Sequence, residues 1–567
     1  MEDNNDKQSL DNHMLYEIKD AKDIKDGEMR TISVHGNQKI LIAKYQNKLY
    51  AVGNTCPHQG AALNTGMLIN DKVVCPWHGA QFDIKSGALE QFPSVDGIPS
   101  YQIIENQDGK SFVKVPMNIK KAEPVPMVKR DINDKTRYVI LGGGPAGLSC
   151  AETLRQSGFT GEIIVLTAED IISYDRTQLT KNLPRVQVKD ILVRDEQYIQ
   201  NADIDFKLGS RVESLDVQNK QLILSSGETL HYDKLCISPG ASPFKPRIPG
   251  IDQENVLPIR TYKDVEKIKG LLSKGDIKNL VIMGTGFIGS EVAASLKTKY
   301  EDEINIEVIS MESVPLERQF GKDVGSVIYN QHIKNDIKMH MSKKVVEIRG
   351  ENNKAHSVVL DDGTIIQADL LLLGAGVFPA TQFLKGSGLE MDNWGGIICD
   401  PFLKTSVEDI FSAGDSASFP YWPTGQRVRM EHWGTAQDQG SHAAFNMMNK
   451  RIPYGNIPFL WTEHYGQAIQ YVGYAFEFHE VYIQGSLEDQ EFLAFYIGKG
   501  DQVLAVAGAS RSLDIITYQE ALQQNVMPSA SKIKSGEETI ETIRAKLQQN
   551  TGSRCTRAQC CSKPPQI

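Results

Sequence analysis

Two short blocks, Cys56-Pro-His58-Gln-Gly and Cys75-Pro-Trp-His78-Gly, carry the residue types best suited to grip a redox-active metal centre. Together they read C-x-H, sixteen residues, C-x-x-H. Two soft thiolates and two imidazoles at this spacing suit a Rieske-type [2Fe–2S] cluster, with Cys56 and Cys75 on one iron and His58 and His78 on the other. Neutral imidazoles in place of two thiolates leave the cluster less negative, so it accepts an electron more readily. The rival metal is structural zinc on Cys2His2. Zinc fingers of that kind keep their two Cys together and their two His together, whereas each block here supplies one of each. The Gly and Pro around both blocks fit tight loops on a β scaffold.

A second chemistry lies further along. Arg137-Tyr-Val-Ile-Leu-Gly142-Gly-Gly144-Pro-Ala-Gly147 and Asn279-Leu-Val-Ile-Met-Gly284-Thr-Gly286-Phe-Ile-Gly289 each run an apolar strand into G-x-G-x-x-G and then an Ala-rich helix. The first Gly permits the turn, the second admits a pyrophosphate, the third lets helix and strand pack, and the helix N-terminus faces the anion. Two such units imply two dinucleotides. An acidic residue near the end of the following strand should take ribose hydroxyls. Glu169 fills that place after the first loop. After the second, Ser310 occupies the expected slot and Glu312 stands two residues late, with no Arg before Arg318 to favour a 2′-phosphate. The missing Arg favours NADH as the electron donor, while Ser310 in the acidic slot leaves NADPH open. Thr405-Ser-Val-Glu-Asp-Ile-Phe-Ser-Ala-Gly-Asp415 is a third signature, a strand end whose carboxylate can accept from the ribityl hydroxyls of a flavin.

These residues need elements to position them. The N-terminal stretch 1–15 is polar and expected to be disordered. Short alternating runs such as Lys39-Ile-Leu-Ile-Ala-Lys-Tyr then predict a small all-β Rieske domain over 16–115. Residues 116–136, with Pro116, Pro124, Pro126 and eight charged side chains, read as a linker that lets this domain dock or swing away. The chain of 567 residues has room for three or four domains. A net charge of −10 argues against nucleic acid as a partner. No apolar run is long enough to span a bilayer. The acidic N-terminus lacks a secretory h-region and is poor in Arg, so the cytoplasm is the expected compartment, with the mitochondrion as the alternative. The eight Cys are scattered, as in a reducing compartment. Cys150, Cys236 and Cys399 are expected as buried hydrophobes. Without a C-x-x-C near the flavin motifs, a redox-active dithiol is not expected. Without the His-x4-His pair of a mononuclear iron site, oxygen chemistry on an organic substrate is not expected either. Residues 536–567 form a polar tail whose Cys555, Cys560 and Cys561 are read as incidental thiols, acylation or metal binding being the alternatives.

In this order the pieces resemble the two-dinucleotide-domain flavoprotein reductases. They look most like the apoptosis-inducing factor-like proteins that carry an N-terminal Rieske domain. The motifs carrying the resemblance include Ser173-Tyr-Asp-Arg176-Thr-Gln-Leu-Thr-Lys181, Arg260-Thr-Tyr-Lys-Asp264, Arg429-Met-Glu431-His432-Trp433 and Pro458-Phe-Leu-Trp461-Thr. The resemblance implies two α/β Rossmann-like domains, for FAD and NAD, followed by a C-terminal α+β domain. It sets an FAD-binding part at 137–260, an NAD(P)H-binding domain at 261–374, a second FAD part at 375–455 and a C-terminal reductase domain at 456–535. It also implies that Arg176, Lys181, Val212, Arg260, Asp415, Glu431, His432 and Trp461 surround FAD, with Lys181 and Glu291 an ion pair beside flavin and nicotinamide. Ala61 and Trp77 stand where high-potential Rieske proteins carry a disulfide pair, so the domain resembles the low-potential class.

The function expected is that of an NAD(P)H oxidoreductase. It would pass electrons through FAD to the cluster and on to an unnamed acceptor. A redox-responsive pro-apoptotic signalling flavoprotein with little turnover is one alternative. A reductase feeding a separate oxygenase is another, and a homodimer is left open.

Overall fold

The computed structural model describes residues 12–549, in two compact units. One unit combines the described residues up to Val128 with Gln156–Gly158 and the described residues from Ser512; the other holds Lys129–Arg155 and Phe159–Arg511.

In the first unit, strands β1 (His13–Glu17), β2 (Met29–Ser33), β3 (Lys39–Tyr45), β4 (Lys48–Gly53), β9 (Ser100–Glu105) and β10 (Ser111–Pro116) form an antiparallel sheet in the order β1-β10-β9-β4-β3-β2. Between β4 and β9 the chain makes a smaller sheet from β5 (Met67–Ile69), β6 (Lys72–Val74), β7 (Gln81–Asp83) and β8 (Leu89–Gln91). The Cys75 block is the turn joining β6 to β7, and the Cys56 block follows β4. Leu41, Val52, Phe82 and Ile98 pack around both Cys in one core. Strand β1 starts inside the 1–15 stretch expected to be disordered, because His13–Glu17 pairs in register with Pro116–Phe112.

The second unit holds two parallel sheets. Strands β11 (Arg137–Leu141), β12 (Glu162–Leu166), β13 (Ile204–Lys207), β14 (Lys234–Ile237) and β20 (Ile410–Ser412) line up as β13-β12-β11-β14-β20. Helix α1 (Pro145–Gln156) follows β11, and the short α2 (Gln178–Lys181) follows β12. The second sheet is β15 (Val256–Pro258), β16 (Asn279–Met283), β17 (Asn305–Ile309), β18 (Lys338–His340) and β19 (Leu370–Leu373), in the order β15-β19-β16-β17-β18. Helices α3 (Phe287–Tyr300) and α4 (Glu317–Lys334) belong to it. Strand β20 returns to the first sheet after the second is complete, so one α/β domain is inserted in the other. Helix α5 (Trp433–Met447) follows. Strands β21 (Phe459–His464), β22 (Gln467–Gly473), β23 (Glu480–Ser486), β24 (Glu491–Ile497) and β25 (Val503–Ala509) then form an antiparallel sheet, β21-β22-β25-β24-β23. The chain is thus an all-β domain, two Rossmann-like α/β domains and a C-terminal α+β portion.

The C-terminal helices Ser512–Gln523, Ala530–Ser535 and Ile540–Gln549 belong to the first unit. Ten consecutive residues, Asp514 to Gln523, are buried, although five of them are charged or amide-bearing or carry a hydroxyl other than tyrosine's. Glu520 accepts from the Gln81 amide, and Thr517 meets the Met67 sulfur at 3.7 Å. Arg544 fastens the last helix with bonds to Thr517 and Asp514 at 3.1 and 2.9 Å. The helix Ile540–Gln549 lies within the segment 536–567 expected as a polar tail: Ile543 and Leu547, four apart on one face, are buried. Cys555, Cys560 and Cys561 lie outside the described residues. The expected linker is also more tied down than its composition suggests. Glu123 and Gly97 exchange backbone bonds at one end, and at the other Asp131 N–H donates to Thr160 O and Arg130 pairs with Glu162. Among the described residues no helix is long and apolar enough to cross a membrane.

Candidate functional site

The cluster-ligand candidates come together as two pairs. Cys56 and Cys75 are buried, and their sulfurs share a hydrogen bond that pushes the Cys56 thiol up and holds the Cys75 thiol down. The backbone N–H groups of His58 and Gln59 point at Cys56 Sγ, and those of Trp77 and His78 at Cys75 Sγ. Both thiolates are thereby favoured by donors the loops fix in place. His58 and His78 face each other with their Nδ1 atoms 3.1 Å apart. Among the described residues no three His, Cys, Asp or Glu converge as a single ion would require. A binuclear cluster takes two protein ligands per iron, and a pair of sulfurs with a pair of imidazoles fits that donor set.

The second unit contains a cavity of about 1010 Å³ lined by both glycine loops. The first loop shows how the sequence makes room for an anion. Gly142 has φ +114°, and a Cβ there would sit 1.9 Å from Ser238 O. A Cβ on Gly147 would fall 1.8 Å from Gly142 O, whereas Gly144 faces open space, as close approach of a pyrophosphate requires. Gly284, Gly286 and Gly289 repeat the pattern. Gly147 and Gly289 pack helix on strand and do not line the cavity. Replacing Gly147 with Ala should therefore cost about 1–3 kcal/mol of stability and strip flavin from the protein. Calorimetry and the flavin-to-protein ratio check this; full flavin content at an unchanged Tm would contradict it.

Every other residue singled out around the two nucleotides lines the cavity: Glu169, Arg176, Lys181, Val212, Arg260, Asp415, Glu431, His432, Trp461, Glu291 and Glu312. Their partners are specific. Glu169 accepts from Tyr174 and Arg176, both at 2.6 Å, leaving lone pairs for a ribose. Arg260 pairs with Asp415 at 2.9 Å, and Arg429 with Glu431. Burial pushes the Glu431 carboxyl up against the pull of Arg429. Burial also lowers His432 to about 4, and its Nδ1 has no hydrogen-bond partner among the described residues. A buried unpaired nitrogen on a cavity wall calls for a ligand or water.

Glu291, on α3, is the most buried charge lining the cavity. Lys181 pairs with it at 2.6 Å; Thr180 and Thr462 donate hydroxyls to it at 2.6 and 2.8 Å. Lys181 also lies 5.9 Å from the centre of the Trp461 ring. Sequence reasoning found the ion pair and missed both threonines. Thr180 adjoins Lys181 and Thr462 adjoins Trp461, so the signal was present but had no spacing rule to reveal it. Ser310 proves to be a support. Thr285 donates to its Oγ at 2.7 Å, and that Oγ accepts the Glu312 N–H at 3.2 Å, so Ser310 fixes the turn presenting Glu312.

An all-β domain with a Cys2His2 cluster site, followed by interleaved dinucleotide-binding domains around one cavity, defines an iron–sulfur flavoprotein reductase. Residues 136–440 match the family described as pyridine nucleotide-disulphide oxidoreductase, and the chain belongs to it. Residues 14–102 match the Rieske [2Fe-2S] domain and 459–542 the reductase C-terminal domain. The chain is therefore an NAD(P)H oxidoreductase with FAD and a Rieske [2Fe–2S] cluster as cofactors. It is 35% identical to apoptosis-inducing factor 3 of Homo sapiens, over 93% of this chain and 86% of that one. It is 28% identical to rhodocoxin reductase of Rhodococcus erythropolis, over 68% of this chain and 88% of that one. Among solved structures, the ferredoxin reductase for the CYP199A2 system from Rhodopseudomonas palustris superposes with a TM-score of 0.67 at 27% identity, covering 72% of this chain and 99% of that chain. The covalent putidaredoxin reductase–putidaredoxin complex gives 0.68 at 25% identity, covering 73% and 100%.

Proposed function

We propose that this chain converts a two-electron donor into single-electron steps, taking hydride from NADH and delivering electrons one at a time to its own Rieske centre and then to an outside acceptor. When bound, FAD supplies the chemistry that accepts a hydride and gives up electrons singly. Cys56 and Cys75 would hold one iron, and His58 and His78 the other. The Gly142–Gly147 loop, Glu169, Arg176, Val212, Arg260, Asp415, Glu431, His432 and Trp461 would hold FAD. The Gly284–Gly289 loop and Glu312 would hold the nicotinamide nucleotide. Glu291 orients Lys181, whose ammonium offers a fixed positive charge to the reduced flavin. The observation that carries the reading is the single cavity joining both glycine loops to the Lys181–Glu291 pair.

The test is anaerobic mixing of the full chain with NADH. Bleaching of the flavin band near about 450 nm, followed by a cluster signal near g of about 1.9, supports the relay. A flavin that stays oxidised sinks it. The preference for NADH rests on Glu312, whose carboxyl burial pushes up despite Arg318 3.5 Å away. Glu312→Ala should lower kcat/KM for NADH about tenfold, the worth of a charged hydrogen bond to a ribose hydroxyl, and leave that for NADPH unchanged or higher. An equal loss with both coenzymes would remove Glu312 from the ribose site. The same reading takes the enzyme as cytoplasmic and open to homodimer formation, which fractionation and sedimentation test.

A further inference from the structure

Oxidation of NADH yields two electrons and one proton, and an acceptor that takes an electron without a proton leaves that proton in the protein. With A a one-electron acceptor, the balance is NADH + 2 A(ox) → NAD+ + H+ + 2 A(red). On the reading above, which this inference rests on, each turnover must discharge one proton from a cavity whose innermost carboxylate, Glu291, is 3% exposed.

Behind Glu291 lies a second polar cluster that the relay does not use. Strand β21 alternates: Leu460, Thr462 and His464 are buried, and Glu463 is exposed. Thr462 is the residue that donates to Glu291. His464 lies one pleat further on the same face, about 7 Å along the strand. Its ring meets that of His332, from α4, edge to face with centroids 5.6 Å apart. His332 Nδ1 is 2.9 Å from the Tyr465 hydroxyl, and Tyr465 is partly exposed in the turn before β22. A file of polar side chains thus runs from the buried carboxylate to the surface.

The file has gaps of a kind that water fills. His332 Nε2, His464 Nδ1 and His464 Nε2 have no hydrogen-bond partner among the described residues, nor does the Oε1 of neighbouring Gln331. An apolar pair would pack there without that penalty, and buried nitrogens of this sort in native proteins usually hold ordered water. Burial holds both rings neutral, near a pKa of about 3, with the charge of Lys181 adding to the effect at His464. The titratable groups acting on the pair are Lys181, from α2, at His464 and Tyr465, from the turn, at His332, on which His464 also acts; Glu291 is reached only through its bonds to Lys181 and Thr462. A neutral imidazole accepts at one nitrogen while donating at the other, so it can pass a proton along without ever standing charged for long.

We propose that Thr462, His464, His332 and Tyr465, bridged by water on the unpaired ring nitrogens, form the exit route for the proton released by NADH oxidation. The test uses the full holoenzyme, reduced by one equivalent of NADH in weak buffer and reoxidised by excess ferricyanide, with a pH-indicator dye reporting proton release. In the wild type, release should keep pace with flavin reoxidation. In His464→Leu and in Tyr465→Phe, it should lag by about 100-fold, the scale of a lost proton-transfer group, while reduction by NADH stays within about twofold. Tyr465→Phe keeps the ring and so tests the route even if His464→Leu does not fold. A second readout needs no turnover. In the holoenzyme, 15N-labelled histidine should show two neutral buried rings at pH 6 whose N–H groups exchange with water. Proton release at the wild-type rate in both variants, or rings out of contact with water, overturns the route. Equal slowing of the hydride step and of release makes the pair structural and also overturns it. If NADH fails to reduce the wild type, the relay itself falls, and the exit route with it.

Discussion

A chain carrying Cys75→Ser emerges yellow, with its flavin and without its iron. Cys75 is the thiol held low, by the Cys56 hydrogen bond and by the N–H groups of Trp77 and His78. A serine hydroxyl keeps much of the shape, but it is a harder and far less acidic ligand that grips cluster iron much more weakly than a thiolate. Iron and sulfide should drop from about two per chain to under about 0.2, and the cluster signal should vanish. Reduction of ferricyanide by NADH draws on the flavin directly and should stay within about twofold of wild type. The split between these readouts is what matters. Loss of flavin together with iron would mean that the substitution unfolded the protein, and retained iron would remove Cys75 from the ligand set.

Glu291→Ala carries the second large effect. Its carboxylate receives one ammonium and two hydroxyls. Deleting it leaves Lys181, whose side chain is 15% exposed, without its counter-charge, and Thr180 and Thr462 without their acceptor. Breaking a buried pair from one side costs about 3–5 kcal/mol, and the residual exposure of Lys181 points to the lower end. Denaturant midpoints of the holo chain report that loss. Flavin reduction by NADH should fall about 10²–10³-fold, because the Lys181 charge loses its fixed position. Glu291→Gln retains an acceptor for both hydroxyls, so it should recover most of the stability and little of the rate. An alanine variant with an unchanged midpoint would show that the three bonds contribute nothing to folding.

What the sequence disclosed was whatever chemistry forces close together along the chain. C-x-H and C-x-x-H are legible because each loop must deliver a sulfur and an imidazole within a few residues, and G-x-G-x-x-G because turn, anion and helix follow one another. The Lys181–Glu291 pair spans 110 residues and was reached through resemblance alone. The hydroxyls of Thr180 and Thr462 stayed hidden, since a threonine beside a charged or aromatic residue has no distinguishing pattern. Ser310 looked like a missing acid because the strand-end rule counts positions, whereas the structure uses its hydroxyl to hold the turn under Glu312. Further from view were the bonds that tie Gln81 to Glu520 and Met67 to Thr517, 439 and 450 residues apart. Helix Ser512–Gln523 has little amphipathic pattern because it is buried all round, so periodicity could not say what it packs against.

That last feature bears on how the protein is made. The cluster-bearing unit is built from both ends of the chain, and its closing helix leaves the ribosome only after the nearly 400 residues that separate Pro116 from Ser512. At about 5–20 residues per second, that is a delay on the order of 20–80 seconds. Until that helix emerges, Met67 and Gln81 lack the partners that Thr517 and Glu520 supply, so the unit completes these contacts late in its synthesis.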